Sequence, residues 1–186
     1  MADVPVLTTP RLVLRGFQLE DFGAMAAVWS DPDIVRFIGK GQPLGEDVVW
    51  ARLRRVAGSW PILGYGFWAI EHAASGRLIG EAGFLEQRPP GGELRTPEAG
   101  WVLETAARGQ GYAGEAVAAV LAWGDQRFER TTCVISPENA PSIALARRHG
   151  YREVGPAPPP ADWTGPPFMG FQRDRAVAAP GLRRDG

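Results

Sequence analysis

The residues best suited to chemistry form one short run, Arg108-Gly109-Gln110-Gly111-Tyr112-Ala113. A predicted strand precedes this run and the clearest predicted helix follows it, so its N–H groups lie at the positive end of a helix dipole. The two glycines let the backbone turn sharply and approach a ligand closely, and Arg108 adds a positive charge. These features favour the binding of a phosphate or pyrophosphate group.

A glycine-rich turn into a helix does not by itself distinguish a binding site from a plain connection. No Gly-Lys-Ser/Thr sequence follows the glycines, which excludes a P-loop. The Gly-x-Gly-x-x-Gly spacing of nicotinamide-binding units is also absent. The run therefore predicts either a pyrophosphate-binding turn or a structural turn, and features elsewhere in the chain must distinguish them.

The composition indicates one globular domain without a strong electrostatic preference. The chain has 186 residues, and we assign residues 1–175 to a single domain and 176–186 to a loose tail. The formal net charge of −1 argues against nucleic acid as the main partner. No apolar run reaches the ~18 residues of a membrane span. The N-terminus does not resemble a signal peptide, so we expect no membrane partner and a cytoplasmic location.

Cysteine and histidine are scarce, which bears on metal and redox chemistry. The single cysteine, Cys133, cannot form an internal disulfide and is expected to be a core residue rather than a nucleophile. The two histidines are far apart in sequence; we expect His72 at the surface and His149 at a helix end. We therefore expect no metal site.

Hydrophobic periodicity predicts the element order β-α-α-β-β-β-α-β-α-β-β, without repeats or a dividing linker. The expected loops are 39–45, 87–97 and 155–167, which lack a readable motif. Asp31-Pro32 is expected to end the first helix. The predicted strands span 6–14, 67–71, 77–85, 99–103, 131–135, 151–154 and 168–173, and the predicted helices span 20–30, 46–58, 111–128 and 139–150.

The glycine-containing run resembles motif A of the GNAT N-acetyltransferase superfamily, Gln/Arg-x-x-Gly-x-Gly/Ala, through Arg108, Gly111 and Ala113. Further matches occur in family order and cover about residues 7–173, and they point to the RimJ/RimL-like group. These matches are Thr9–Arg15, Asp31–Gly39, Trp68–Ile70, Glu98–Trp101, and Asn139–Ser142 followed by Gly150-Tyr151, which resembles motif B.

The resemblance implies an α/β fold with a central, mixed, mostly antiparallel sheet and helices on both faces. Two central strands would splay apart near 101–103 and 133–135, and the pantetheine arm of acetyl-CoA would lie in that wedge. The cofactor contacts that the resemblance implies are the backbones of Val102 and Leu103, the N–H groups of Arg108, Gly109, Gln110, Gly111, Tyr112 and Ala113, and the side chains of Asn139 and Ser142.

The family usually transfers the acetyl group directly, which agrees with the absence of a Cys-His or Ser-His-Asp constellation. An amine attacks only when neutral, so a base or a water chain must accept a proton. Glu98 is the candidate base, although a solvated edge carboxylate is the alternative. Ser142 is the candidate donor to the departing thiolate, although it could merely support the first turn of its helix. The tyrosine that many superfamily members use is replaced by Ala146.

The leading interpretation is an N-acetyltransferase that moves an acetyl group from acetyl-CoA to a primary amine, as a monomer or homodimer. The amine could belong to a protein N-terminus, an amino acid, a polyamine or a drug, and Trp101 and Tyr65 are expected near it. One alternative is a non-catalytic acyl-CoA-binding or sensor domain, which the alanine at position 146 favours. Another is an unrelated nucleotide-phosphate binder that uses the same helix start.

Overall fold

The computed structural model describes residues 4–86, 96–157 and 167–175. Within these ranges the order of strands and helices follows the prediction except at two places. The strand predicted over 6–14 is two antiparallel strands, and a short additional helix follows the first helix. The strands are β1 Leu7–Thr8, β2 Leu12–Arg15, β3 Phe67–His72, β4 Arg77–Leu85, β5 Glu98–Leu103, β6 Arg130–Ile135, β7 Arg152–Ala157 and β8 Phe168–Asp174. The α-helices are α1 Phe22–Ser30, α2 Pro32–Val35, α3 Glu46–Leu63, α4 Tyr112–Gly124 and α5 Ala140–Arg148.

The strands form one sheet in the order β1-β2-β3-β4-β5-β6-β8-β7. Neighbouring strands are antiparallel except β5 and β6, which run parallel. Strand β5 pairs with β4 along its whole length, from Glu98 opposite Leu85 to Leu103 opposite Gly80. It shares only the pair Glu98–Thr132 with β6. The parallel strands separate beyond that pair, which confirms the predicted splayed wedge.

Helices cover both faces of the sheet, as predicted for a mixed α/β fold. Because side chains alternate across a strand, Phe67 of β3 packs toward α1 and α3 while the next residue, Trp68, packs toward α4. The α4 face also includes Leu145 and Ala146 of α5. Trp60, at the end of α3, reaches the same face and meets Trp68 edge to face at a ring-centroid distance of 4.5 Å.

Two helix boundaries differ from the prediction because local signals were interpreted too simply. Asp31-Pro32 ends α1 but immediately begins α2: the Asp31 carboxylate accepts the N–H of Asp33, and proline occupies the first turn. Helix α3 continues past Gly58 and Pro61 because Trp60 is buried at 2% exposure. It ends at Gly64, whose φ of +75° provides the left-handed cap.

Trp50 of α3 is 38% exposed and packs on Phe22 at the surface. Two further expectations need correction. Helix α4 ends at Gly124, although Phe128 still packs against Phe84. Strand β7 continues through 155–157, which the prediction assigned to a loop; Pro156 is tolerated there because β7 is an edge strand. The remainder of the predicted loops, 87–95 and 158–166, and the predicted tail 176–186 lie outside the described residues.

Candidate active site

The opening between β5 and β6 is part of a cavity of about 1050 Å³. One part of it, the wedge side, is formed by Val102, 133–136, Asn139 and Ser142. The other part, the α3 side, lies on the face that carries α1 and α3. The α3 side is lined by Trp29, Phe37, Ile38, Arg52, Phe67 and Leu85.

The wedge exposes strand edges that lack a ladder partner. Beyond Glu98 and Thr132, no residue pair joins 99–103 to 133–135 in the described part of the chain. Backbone amides and carbonyls on such edges bind an extended ligand that carries its own amides. The backbones of Val102 and Leu103, predicted as cofactor contacts, lie on the β5 edge of this opening.

The run before α4 has the geometry of an anion cradle. Gly109 has a φ of +74° and Gly111 a φ of +83°, which glycine adopts without strain. Among the described residues, the N–H groups from 109 to 114 have no hydrogen-bond partner, and the first paired amide of α4 is that of Glu115, bonded to the carbonyl of Gly111. A cluster of unpaired N–H groups at the positive end of a helix suits a phosphate.

Side chains of this run mostly hold the loop rather than face a ligand. The Gln110 amide donates to the carbonyl of Ala106 at 2.9 Å. The Tyr112 hydroxyl lies 3.3 Å from Nε2 of His72, which is half-buried rather than at the surface as expected. Arg108 is exposed, and its guanidinium lies 3.5 Å from the carbonyl oxygen of Asp33 on α2. The ligand-binding capacity of this run therefore lies chiefly in its backbone.

Glu115, in the first turn of α4, was not identified from the sequence as part of the site. Its carboxylate accepts hydrogen bonds from the Thr9 hydroxyl at 2.6 Å and from the Arg11 backbone and guanidinium at 2.9 and 2.7 Å. Burial opposes ionisation of Glu115, but these bonds outweigh burial and hold its pKa below the usual value. Arg11 also donates to the Gln110 carbonyl, so the turn at 9–11 fixes the loop.

Asn139 and Ser142 meet at the start of α5, on the wedge side. The Asn139 Oδ1 caps the helix by accepting the N–H of Ser142 at 3.2 Å. Its amide nitrogen makes no hydrogen bond to the described residues. Both side chains are half-buried and line the cavity. Ala146, where the family's tyrosine would stand, is fully buried in the core.

Glu98 and Cys133 lie where the wedge begins. Glu98 pairs with Leu85 and Thr132 through its backbone, and its half-buried side chain lines the cavity. Cys133 is 1% exposed, and burial, with the nearby charge of Glu98, raises the pKa of its thiol well above the usual value. The thiol is therefore protonated and behaves as a small core group.

The expected aromatic residues fall in two different places. Trp101 lines the cavity. Tyr65 does not: it is buried in the α4-face core and packs edge to face on Phe128. The α3 side was not found from the sequence, because Trp29, Phe67 and Arg52 come from separate elements and carry no local motif.

The described ranges 4–86, 96–157 and 167–175 contain neither a metal-binding cluster nor a helix that could span a membrane. No group of three or more His, Cys, Asp or Glu residues in these ranges is arranged to hold a metal ion. No helix among them is both long enough and apolar enough to cross a membrane.

A mixed sheet with one splayed parallel pair, an open helix start and a cavity at the splay are together typical of an acyltransferase fold. Residues 11–152 match the Acetyltransferase (GNAT) domain family. The protein belongs to this family and is an acyltransferase of the N-acetyltransferase type.

Comparisons with individual proteins agree with this assignment. The chain is 28% identical to the uncharacterized N-acetyltransferase YnaD of Bacillus subtilis, over 80% of this chain and 84% of YnaD. It is similar to a solved GnaT-family acetyltransferase from Bordetella pertussis, with 32% identity, a TM-score of 0.75, and coverage of 91% and 99% of the two chains. The fold also matches RimL, a ribosomal L7/L12 α-N-protein acetyltransferase solved with coenzyme A, at a TM-score of 0.75 and 16% identity over 91% and 98%.

Proposed function

We propose that this protein transfers an acetyl group directly from acetyl-CoA to a primary amine. The observation that carries the proposal is the presence of two sets of unpaired backbone groups, one on the strand edges that border the cavity and one in the loop that joins β5 to α4. The open N–H groups at 109–114 suit the pyrophosphate, and the open edges at 99–103 and 133–135 suit the amides of the pantetheine arm.

The proposed cofactor contacts follow from this arrangement. The pyrophosphate binds the N–H groups of Gly109, Gln110, Gly111, Tyr112 and Ala113, close to the guanidiniums of Arg11 and Arg108. The pantetheine pairs with the backbones of Val102 and Leu103 and contacts Asn139 and Ser142. Support for these contacts comes from Val102, Asn139 and Ser142, which line the wedge side, and from the unpaired N–H groups of the loop.

Proton transfer is assigned to the polar side chains of the cavity. The amine forms a bond to the acetyl carbon while the carbon–sulfur bond breaks, and the amine must lose a proton. Glu98, at the beginning of the wedge, is the proposed acceptor of that proton, directly or through water. The Ser142 hydroxyl, on the wedge side, is the proposed donor to the departing thiolate. An α-amino group, with an ordinary pKa of about 8, needs less help from Glu98 than a lysine side chain, at about 10.4.

The acceptor is proposed to be a protein N-terminus or a small-molecule amine. RimL is an α-N-protein acetyltransferase, but at 16% identity the likeness extends only to the fold. The size of the cavity, about 1050 Å³, allows it to enclose a small molecule or the first residues of a chain.

The test is a calorimetric titration with acetyl-CoA, followed by detection of released thiol across a panel of amines. The matched pair of variants is Gly111→Asp and Gly76→Asp. Both glycines have a positive φ, so both variants carry backbone strain. Only Gly111 lies in the proposed phosphate-binding loop, so only its aspartate would repel the pyrophosphate. We expect about 100-fold weaker binding in Gly111→Asp only, since like charges in contact cost several kcal/mol.

Each result of this test is informative. If both variants bind acetyl-CoA equally well, the loop 109–114 is not the pyrophosphate site. If folded wild-type protein does not bind acetyl-CoA, the proposed function is refuted. Binding without transfer to any amine would instead support a non-catalytic acyl-CoA-binding domain.

A further inference from the structure

Arg52 places a fixed guanidinium on the α3 side of the cavity. It lies on α3, and only 14% of its side chain is exposed. The guanidinium carbon is 4.1 Å from the ring centroid of Trp29 and 5.6 Å from that of Phe67. A guanidinium packed between aromatic rings keeps one orientation, unlike an arginine that extends into solvent.

Glu81 of β4 holds this guanidinium from behind. Nε and Nη2 of Arg52 both donate to the same oxygen of Glu81, Oε1. Glu81 is 2% exposed and does not line the cavity, whereas Arg52 does. Arg52 and not Glu81 therefore borders the cavity, so this wall suits an anion rather than a cation.

Donors of Arg52 remain available for such an anion. A guanidinium carries five N–H donors. Nη1 makes no hydrogen bond to any described residue, and Nη2 bonds only Glu81 within the same ranges. The neighbouring wall is apolar, formed by Trp29, Phe37 and Ile38. Unused charged donors in an apolar wall have a strong preference for a ligand that accepts them.

The position of Arg52 relative to Glu98 fits an acceptor with two polar ends. Glu81 stands opposite Val102 and Leu85 opposite Glu98, so Glu81 and Glu98 lie on one face, four residues apart along the strands. That separation is about 13 Å between backbones, and the side chains shorten it. Between them the Phe67 ring crosses Gly100, where an added Cβ would lie 2.9 Å from the ring. The floor between the polar ends is thus apolar.

We infer that the acceptor carries a carboxylate in addition to its amine, and that Arg52 binds this carboxylate while the amine lies toward Glu98. This inference rests on the proposed function and specifies its acceptor class. A carboxylate matches the guanidinium fork. Glu81 already balances the charge of Arg52, so a singly charged carboxylate fits this wall better than a dianionic phosphate, which would leave a larger excess of buried negative charge.

The test measures kcat/KM for acetyl transfer, by thiol release at saturating acetyl-CoA, with matched acceptors. Phenylalanine, leucine, γ-aminobutyrate and ε-aminocaproate are each compared with the carboxamide, with the amine that lacks the carboxylate, and with the corresponding aminophosphonate. We expect the carboxylate to be preferred over its neutral partners by about tenfold or more in at least one series, as for a hydrogen bond to a charged group.

Variants link the preference to Arg52. Arg52→Gln combined with Glu81→Gln removes both charges together and is expected to abolish the preference while acetyl-CoA binding stays unchanged. Arg52→Lys keeps the charge without the fork and is expected to retain part of the preference, so this variant and the wild-type comparison remain decisive if the double variant does not fold. The control is Arg54→Gln, an exposed arginine on the same helix, which should keep the preference.

Several results would overturn the inference while leaving the proposed function intact. The first is that neutral partners accept the acetyl group as well as, or better than, the carboxylates. The second is that the phosphonates are preferred. The third is that the folded double variant keeps the carboxylate preference. Transfer to none of the carboxylate-bearing acceptors, with acetyl-CoA bound, would also overturn it. Failure to bind acetyl-CoA at all would instead refute the proposed function.

Discussion

The wedge side and the α3 side of the cavity are built in different ways. The wedge side offers mainly backbone groups on strand edges that separate beyond Glu98, and the loop that follows β5 adds the unpaired N–H groups near Gly111. The α3 side offers side chains from distant elements, with one charged group, Arg52, fixed among aromatic rings. Backbone recognition suits a ligand that every family member shares, whereas side-chain recognition allows each member its own acceptor.

The largest expected effect concerns the charge pair of the α3 side. Arg52→Gln leaves the buried Glu81 carboxylate without a counter-charge, which we expect to lower the free energy of unfolding by about 3 kcal/mol. The added change Glu81→Gln should restore most of that loss. Urea unfolding of both variants measures this, with the exposed Arg54→Gln expected within about 0.5 kcal/mol of wild type. A single variant as stable as wild type would mean that solvent screens the pair.

The next effect tests whether Glu98, at the beginning of the wedge, accepts the proton of the amine. Glu98→Gln keeps the shape of the side chain but removes the base, so we expect kcat to fall about 100-fold with little change in acetyl-CoA affinity. Thiol-release kinetics and calorimetry separate these quantities. Glu129→Gln, in an exposed position before β6, is the matched control. Turnover that is unchanged between about pH 6 and 9 would assign the proton to water alone.

A smaller effect is expected on the wedge side itself. Ser142→Ala removes the proposed donor to the thiolate but keeps the backbone N–H that Asn139 caps, so α5 should remain intact. We expect kcat at saturating acetyl-CoA to fall about tenfold, the lower end of losses for a proton-transfer group. Ser30→Ala, on the exposed end of α1, serves as control. Full activity in Ser142→Ala would mean that this serine only supports the first turn of α5.

The smallest effect concerns the pH dependence of the free energy of unfolding, through a histidine at the end of α5. His149 follows α5, its Nε2 has no hydrogen-bond partner among the described residues, and burial, with the charges of Arg148 and Arg173, lowers its pKa below 6.5. The unfolded chain therefore binds a proton more readily, and the free energy of unfolding should decrease as the pH falls below about 6.5. His149→Gln should weaken that dependence, as measured by thermal unfolding at several pH values; an identical pH profile would contradict the assignment.

Much of the fold could be predicted because its signals are local. The strand predicted over 6–14 includes most of β2, whose Leu12 and Leu14 are fully buried, and the helix predicted over 111–128 includes α4. The failures occurred where burial outweighed a local signal. Trp60 carries α3 past Gly58 and Pro61, and pairing with β8 keeps β7 extended through Pro156.

The sequence by itself predicted the turn before α4 and the start of α5. The glycines at 109 and 111 and the cap at Asn139 act through the backbone within a few residues, so their spacing already contains their geometry. The tertiary structure alone decided that Glu115 binds Thr9 and Arg11, and that Arg52 meets Glu81 beneath Trp29. Such contacts join residues far apart in the chain, and periodicity shows only which face a side chain occupies, not which distant partner the packing brings to it.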